Sequence, residues 1–191
     1  MSRIDPVRAV AARYDRTTIA LHWTTAGLVA ALWSIGQTID FWPKGTLRVD
    51  YRSLHIVLGA LLGGVIVARL IWRLSRGARV ASEGPRFLVF VAKAVHGLLY
   101  ALVGGTVGLG ALTAFATGDS LFGLVSLPSF APGNRGVEQF LRGWHSFGAN
   151  AVLILAGLHA AAALGHHFVL RDNTLRRMLP GLAPPGPTPG A

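Results

Sequence analysis

The sequence predicts an all-α integral membrane protein: a bundle of four transmembrane helices with both ends of the chain on the cytoplasmic side. Three observations lead there. The 191 residues are 52% hydrophobic and only 14% charged, with a mean hydropathy of +0.50, which is membrane-like composition. Long runs carry no formal charge, and the basic residues are sorted to one side of those runs.

The first helix is expected over about residues 17–39, because Arg16 and Asp40 bracket 23 residues without a charge, more than the roughly 20 that cross the hydrocarbon. It follows a basic arm, residues 1–16, suited to the membrane surface. The run is too long for the core of a signal peptide and contains His22 and Trp23, so it reads as a retained helix. Phe41-Trp42-Pro43-Lys44-Gly45 ends it with aromatic residues at the outer interface and a turn.

A second helix is expected over about 53–74. Only the 16 residues from Ser53 to Ala68 are uncharged, but Arg69 and Arg73 are expected to snorkel toward headgroups and let Leu70, Ile71 and Trp72 extend the span. A polar loop, Gly77 to Pro85, leads to a third helix over about 87–116, whose 25 uncharged residues lie between Lys93 and Asp119. The long outer connection from Thr117 to Gln139 contains Pro128, Pro132, Gly133 and Gly136; its Leu121–Val125 stretch is expected to dip into the interface and partly cover an outer site. A fourth helix over about 141–170 holds the longest run, 28 uncharged residues between Arg142 and Arg171, and its last turns should project into the cytoplasm. Residues 1–180 thus form one domain, and the Pro- and Gly-rich tail, 181–191, reads as disordered. None of the four runs has the ten-residue alternation of an outer-membrane barrel strand.

The net charge of +10 would suggest nucleic acid in a soluble protein, but here its distribution assigns it to topology. Thirteen Lys and Arg fall on the side of the termini and the 77–85 loop, and five on the other: Lys44, Arg48, Arg52, Arg135 and Arg142. The positive-inside rule then makes the termini cytoplasmic, in a multi-pass protein with membrane lipid and no nucleic acid as partner. With no cysteine the chain has no disulfide, no iron–sulfur ligation and no covalent c-type haem. Small residues such as Gly59, Gly63, Gly104 and Gly108 suit close helix packing or make room beside a flat cofactor.

Seven histidines stand against eight acidic residues, most of them inside the apolar runs, where an imidazole must find a partner. His145 and His159 lie on one helix, about 21 Å apart along its axis and about 40° apart in direction. Matching depths gives an outer pair, His55 with His145, and an inner pair, His22 with His159. Two facing histidines can bind a haem iron from both sides, and without cysteine that haem is b-type. The competing readings are hydrogen-bonded structural histidines, and zinc, whose usual four-ligand site the spacing disfavours. His96 lies at a depth similar to His22, and spacing does not decide between them. His166 returns near the face of His159 after seven residues; His167 sits beside it in the overhang.

The stretches Ala20-Leu21-His22-Trp23, Leu54-His55-Ile56, Arg69-Leu70-Ile71-Trp72-Arg73-Leu74, Gly143-Trp144-His145 and, above all, Gly157-Leu158-His159-Ala160-Ala161-Ala162-Ala163-Leu164-Gly165-His166-His167 with Asp172-Asn173-Thr174-Leu175 and Arg177-Met178-Leu179-Pro180 resemble the bacterial cytochrome b561 family, most closely its superoxide-oxidising members. The resemblance covers about residues 14–180. It implies two haem b groups, one on His22 and His159 and one on His55 and His145, with His96 a non-ligand and His166 at a ubiquinone site. It also implies an enzyme that oxidises superoxide to dioxygen on the periplasmic side and reduces ubiquinone. For that activity Arg52 and Arg142, with Lys44 and Arg48, would attract the anion, and His166 would relay protons. The alternative is an electron-transfer subunit that links a partner dehydrogenase or hydrogenase to the quinone pool.

Overall fold

The computed structural model describes residues 14–76 and 85–179. Four long helices make up nearly all of it: α1 (Arg16–Thr38), α2 (Thr46–Ser75), α3 (Arg86–Thr117) and α4 (Arg135–Phe168). Each is long and apolar enough to cross a membrane. Most of the first arm, part of the 77–85 loop and the 181–191 tail lie outside the described residues.

The helix bounds need correction at the end where α2 and α4 begin. Helix α2 starts at Thr46 and α4 at Arg135, not near 53 and 141, because hydropathy marks where lipid ends and the hydrogen-bond ladder continues into the headgroup zone. Polar side chains support both extensions. Arg48 donates from Nε to the Trp42 carbonyl at 2.7 Å and pairs with Asp40 at 3.5 Å, tying the start of α2 to the 3-10 turn Ile39–Phe41. Asn134 caps α4 by accepting from the Val137 N–H at 3.2 Å. At its other end α4 stops at Phe168, two residues short of the expected bound.

Helix α3 packs most extensively on α4, and α1 on α2; α2 meets α3, and α1 touches α4 over a shorter stretch. The helices therefore stand in cyclic order, with α2 diagonal to α4. Helices α3 and α4 come close because Gly148 faces Thr106: a Cβ there would lie 2.5 Å from the Thr106 hydroxyl. The central buried cluster has one residue from each helix, Leu32, Leu62, Val103 and Val152. Val152 is seven residues from both His145 and His159, and Leu62 is seven from His55. The core is thus an apolar layer about 10 Å from the histidines on either side. Most remaining apolar side chains point outward, among them Val67, Ile71, Phe90 and Ile154, as lipid-facing residues do.

The connection between α3 and α4 forms a two-stranded hairpin, β1 (Ser120–Leu121) with β2 (Val125–Ser126). Phe122 and Gly123 both have positive φ, 52° and 68°, the backbone of a type I′ turn. Fully buried Ser53 fastens the hairpin to α2: its hydroxyl lies 2.7 Å from the Val49 carbonyl and 3.0 Å from the Ser120 carbonyl, and accepts from the Phe122 N–H at 2.8 Å. At the opposite end of the bundle, where α1 starts and α4 stops, Trp72 donates to Asp15 (3.1 Å) and Trp23 to the Met178 carbonyl (2.7 Å).

Candidate functional site

The histidines divide between the two ends of the bundle. At the loop end, beside the hairpin, His55 of α2 faces His145 of α4 with ring centroids 6.0 Å apart and planes crossed at 85°. At the terminal end His22 of α1 faces His159 of α4 at 6.4 Å and 72°. Two imidazoles that bind one iron from opposite sides, each through a bond of about 2 Å, hold their centroids about 6 Å apart. Both pairs meet that requirement.

The loop-end pair is built to present ring nitrogens. His145 Nδ1 lies 2.9 Å from the Thr106 carbonyl; a carbonyl only accepts, so Nδ1 carries the proton and Nε2 keeps a free lone pair. Gly110 of α3 leaves room for this ring, since a Cβ there would meet His145 Cε1 at 2.9 Å. Gly36 of α1 does the same for His55, with 3.3 Å to Cε1. His55 Nδ1 is buried without a well-formed hydrogen bond, although the Leu32 carbonyl is close enough to interact with the ring. An under-satisfied buried imidazole nitrogen and two glycine cradles fit a metal-bound planar group at this level.

The terminal end is more crowded. His96 of α3 stands 5.2 Å from His159, about 1 Å short of the span of two axial ligands. Arg69 does not snorkel outward as the sequence suggested. It turns inward, placing Nη2 3.0 Å from His22 Nδ1 and its guanidinium 5.2 Å from the centre of the Tyr100 ring. Arginine can only donate, so this contact puts the His22 proton on Nε2. Binding a metal through that nitrogen requires the proton to shift and the Arg69 contact to break. The terminal pair has axial spacing but not the axial tautomer. Among the described residues no group of three or more metal-ligating side chains converges to hold a bare ion.

The other residues singled out by the sequence lie apart from these rings. Arg52 lines a loop-end cavity of about 300 Å³ with Lys44, Gly45, Arg48, Val49, Asp119 and Ser120. Its charge is paired with Asp119 at 3.1 Å. Arg142 is exposed on α4 and is not part of that lining. His166, on the last turn of α4, contacts Asp172 at 2.5 Å, and His167 borders a second cavity with Phe168, Arg171, Asp172 and Arg176. Burial pushes the Asp172 carboxyl up, but hydrogen bonds from His166 and Thr174 and the charge of His166 outweigh it and hold the group below its ordinary range. Sequence reasoning missed Thr106, Gly36, Gly110, Asp119 and Asp172, all contacts between helices or across turns that spacing along one element does not reveal.

Comparison with known proteins agrees with this architecture. The sequence model of a family described as prokaryotic cytochrome b561 matches residues 13–181. The chain is 29% identical over 171 residues to a probable superoxide oxidase, CybB, of Yersinia pestis, covering 88% of this chain and 96% of that protein. It is 29% identical over 171 residues to cytochrome b561 homolog 1 of Escherichia coli strain K12, covering 88% and 97%. To cytochrome b562 of Cereibacter sphaeroides it is 30% identical over 172 residues, covering 87% and 94%.

Proposed function

The chain belongs to the prokaryotic cytochrome b561 family, whose members carry electrons in membranes, and from that premise we propose that it is a superoxide:ubiquinone oxidoreductase of the bacterial inner membrane. In this reading both termini are cytoplasmic, one haem b is held by His55 and His145 toward the periplasm, and a second by His22 and His159 toward the cytoplasm. The observation that carries it is the presence of two facing histidine pairs, 6.0 and 6.4 Å between ring centroids, at opposite ends of one bundle. Haem bound at both would supply one-electron carriage across the bilayer with no open iron position for oxygen.

The chain's own residues do the rest. Thr106 fixes His145 in the tautomer that binds iron, and Gly36 and Gly110 keep the space beside both rings. The core layer of Leu32, Leu62, Val103 and Val152 keeps water from joining the two ends. Lys44, Arg48 and Arg52 line the loop-end cavity, where a small anion such as superoxide would be drawn. At the terminal end His166 hands a proton to ubiquinone as it is reduced. The name of the Yersinia relative supports superoxide as donor.

The test is to pulse superoxide onto purified, haem-loaded protein with a short-chain ubiquinone. Fast reduction of the b-type absorbance followed by quinol is the expected result; no reduction above the buffer rate removes superoxide as donor. A second reading has its own observation. Phe122, Leu124 and Val125 of the hairpin expose apolar side chains, Leu124 by 84%, and Arg52 and Arg48 are already paired with acids. That surface would suit a dehydrogenase or hydrogenase partner that delivers electrons directly, with this chain as its quinone-linked subunit. Quinol formation by the isolated chain with superoxide alone separates the two.

A further inference from the structure

The His166–Asp172 pair is a titratable cluster outside both facing histidine pairs, and the structure constructs it deliberately. Helix α4 ends as the N–H groups of Val169 and Leu170 both bond the Gly165 carbonyl, at 2.9 and 3.2 Å. Arg171 then takes a left-handed conformation with φ 55°, a backbone that costs a non-glycine residue about 1 kcal/mol or more. That turn folds the chain back, so Asp172 meets His166 twice: its N–H bonds the His166 carbonyl at 3.1 Å, and its Oδ2 lies 2.5 Å from His166 Nδ1. The other carboxylate oxygen accepts from the Thr174 N–H at 2.9 Å. Both oxygens are engaged, the aspartate cannot rotate away, and the lowered Asp172 pKa described above keeps it a carboxylate that accepts.

The same carboxylate borders a cavity of about 370 Å³ with His167, Phe168, Arg171 and Arg176. Arg171, Arg176 and His167 are the basic groups around it. About one third of the His166 side chain is exposed, so the ring is open to water, and its partner Asp172 is what joins it to this cavity.

We propose that Asp172 is the positioning residue for His166. By holding the proton on Nδ1, it leaves Nε2 as the one nitrogen that exchanges a proton with a quinone oxygen. This rests on the quinone-reductase reading above and deepens it. Reduction of one quinone takes two electrons, supplied by two superoxide ions that leave as two dioxygen molecules, and two protons. One proton leaves the Nε2–H bond of the His166 imidazolium and forms a quinol O–H bond. The ring becomes neutral with Nδ1–H still on Asp172, and water re-protonates Nε2; the second proton comes from solvent. The arrangement is the carboxylate–imidazole logic of general acid–base catalysis, in which the acid orients the ring and stabilises its charged form without itself exchanging the proton.

The experiment uses the full, haem-loaded chain labelled with ¹⁵N-histidine, reduced with dithionite to remove paramagnetic broadening, with His166 assigned by its loss in His166→Gln. In the parent the His166 signals should show Nδ1 protonated, and Asp172→Asn should abolish that preference. In superoxide-driven quinol formation, Asp172→Asn should lower kcat about tenfold with KM for quinone changed less than about twofold, and Asp172→Glu should recover most of it. Because Asp172 acts through His166, Asp172→Asn should add nothing in the His166→Gln background. An unchanged tautomer in Asp172→Asn, or an equal loss in both backgrounds, overturns the proposal. If the parent makes no quinol, the functional reading falls and takes the relay with it. If the parent makes quinol and the two positions are uncoupled, that reading stands and the dyad alone falls.

Discussion

The two ends of the bundle use the same residue type in opposite states of readiness. At the loop end the protein has settled one tautomer and the space for both rings in advance: Thr106 sets the His145 tautomer, and glycines on α1 and α3 clear the space beside both rings. At the terminal end three imidazoles crowd together, with His96 closer to His159 than His22 is, and Arg69 occupies the His22 nitrogen that should carry a proton. The difference teaches that axial spacing is necessary but not sufficient. A histidine becomes a ligand when its second nitrogen is held by an acceptor, and the loop end satisfies this for His145 where the terminal end does not for His22. The loop-end site should therefore load haem more readily and hold it more firmly.

The largest expected effects follow from removing ligands. Replacing His55 or His145 with Ala should lower the haem-to-protein ratio from about two to about one, read by pyridine haemochrome, and the surviving haem should be the same in both variants. His159→Ala should leave the other haem. His22→Leu should match His159→Ala, while His96→Leu should keep the full ratio. A reversed result, with His96 essential and His22 dispensable, would reassign the terminal pair to α3 and α4. Four equal losses would reject the pairing altogether.

The next effect in size tests the cradles. Gly110→Val should force the His145 ring off its Thr106 bond and cost about 1–3 kcal/mol, read as loss of the loop-end haem on mild heating. Gly110→Ala should be worse than Gly36→Ala, because the new Cβ would approach its ring at 2.9 Å, not 3.3 Å. Gly104→Ala, which meets nothing within 4 Å, is the control and should gain up to about 1 kcal/mol from helix propensity. Equal behaviour of all three would mean that the cradles do not shape the site.

Much of this was legible in the sequence, for a physical reason. Four helices follow from charge-free runs because lipid punishes every buried charge, and the two histidine levels follow because a helix converts 14 residues into a fixed depth. His55–His145 and His22–His159 do face each other; depth implied the first pair, but at the second it left His22 and His96 undecided, and His96 does lie beside His159 as well. What spacing could not supply was anything set by a neighbouring helix. Arg69 illustrates the limit: a long flexible side chain near a helix end can reach headgroups or turn inward, and only the position of Tyr100 and His22 decides. The starts of α2 and α4 were missed for a related reason, since Arg48, Asn134 and their partners sit beyond the apolar run. Likewise Asp172 is only six residues from His166, but the contact depends on a left-handed Arg171 that nothing in the residue type foretells.

The smallest expected effect concerns the electrostatics of the loop end, where the structure alters what the arginines are expected to do. Arg52 is tied to Asp119 at 3.1 Å, so the pair contributes little net field at the cavity mouth, whereas exposed Arg142 makes no ion pair among the described residues. Neutralising Arg142 should therefore slow reduction by superoxide about twofold at low salt, with the effect vanishing as the Debye length falls below about 10 Å. Arg52→Gln should slow it at least as much, because it exposes the Asp119 carboxylate to the incoming anion as well as removing a cation. Asp119→Asn should do the opposite and raise the rate, since it frees Arg52 beside the cavity while Ser53 still holds the hairpin on α2. Stopped-flow reduction rates across a salt series measure all three. An Asp119→Asn rate that is unchanged or lower, with haem content intact, would mean that the ion pair holds the mouth in shape and does not tune its charge, and steering would then lose its best-placed residue.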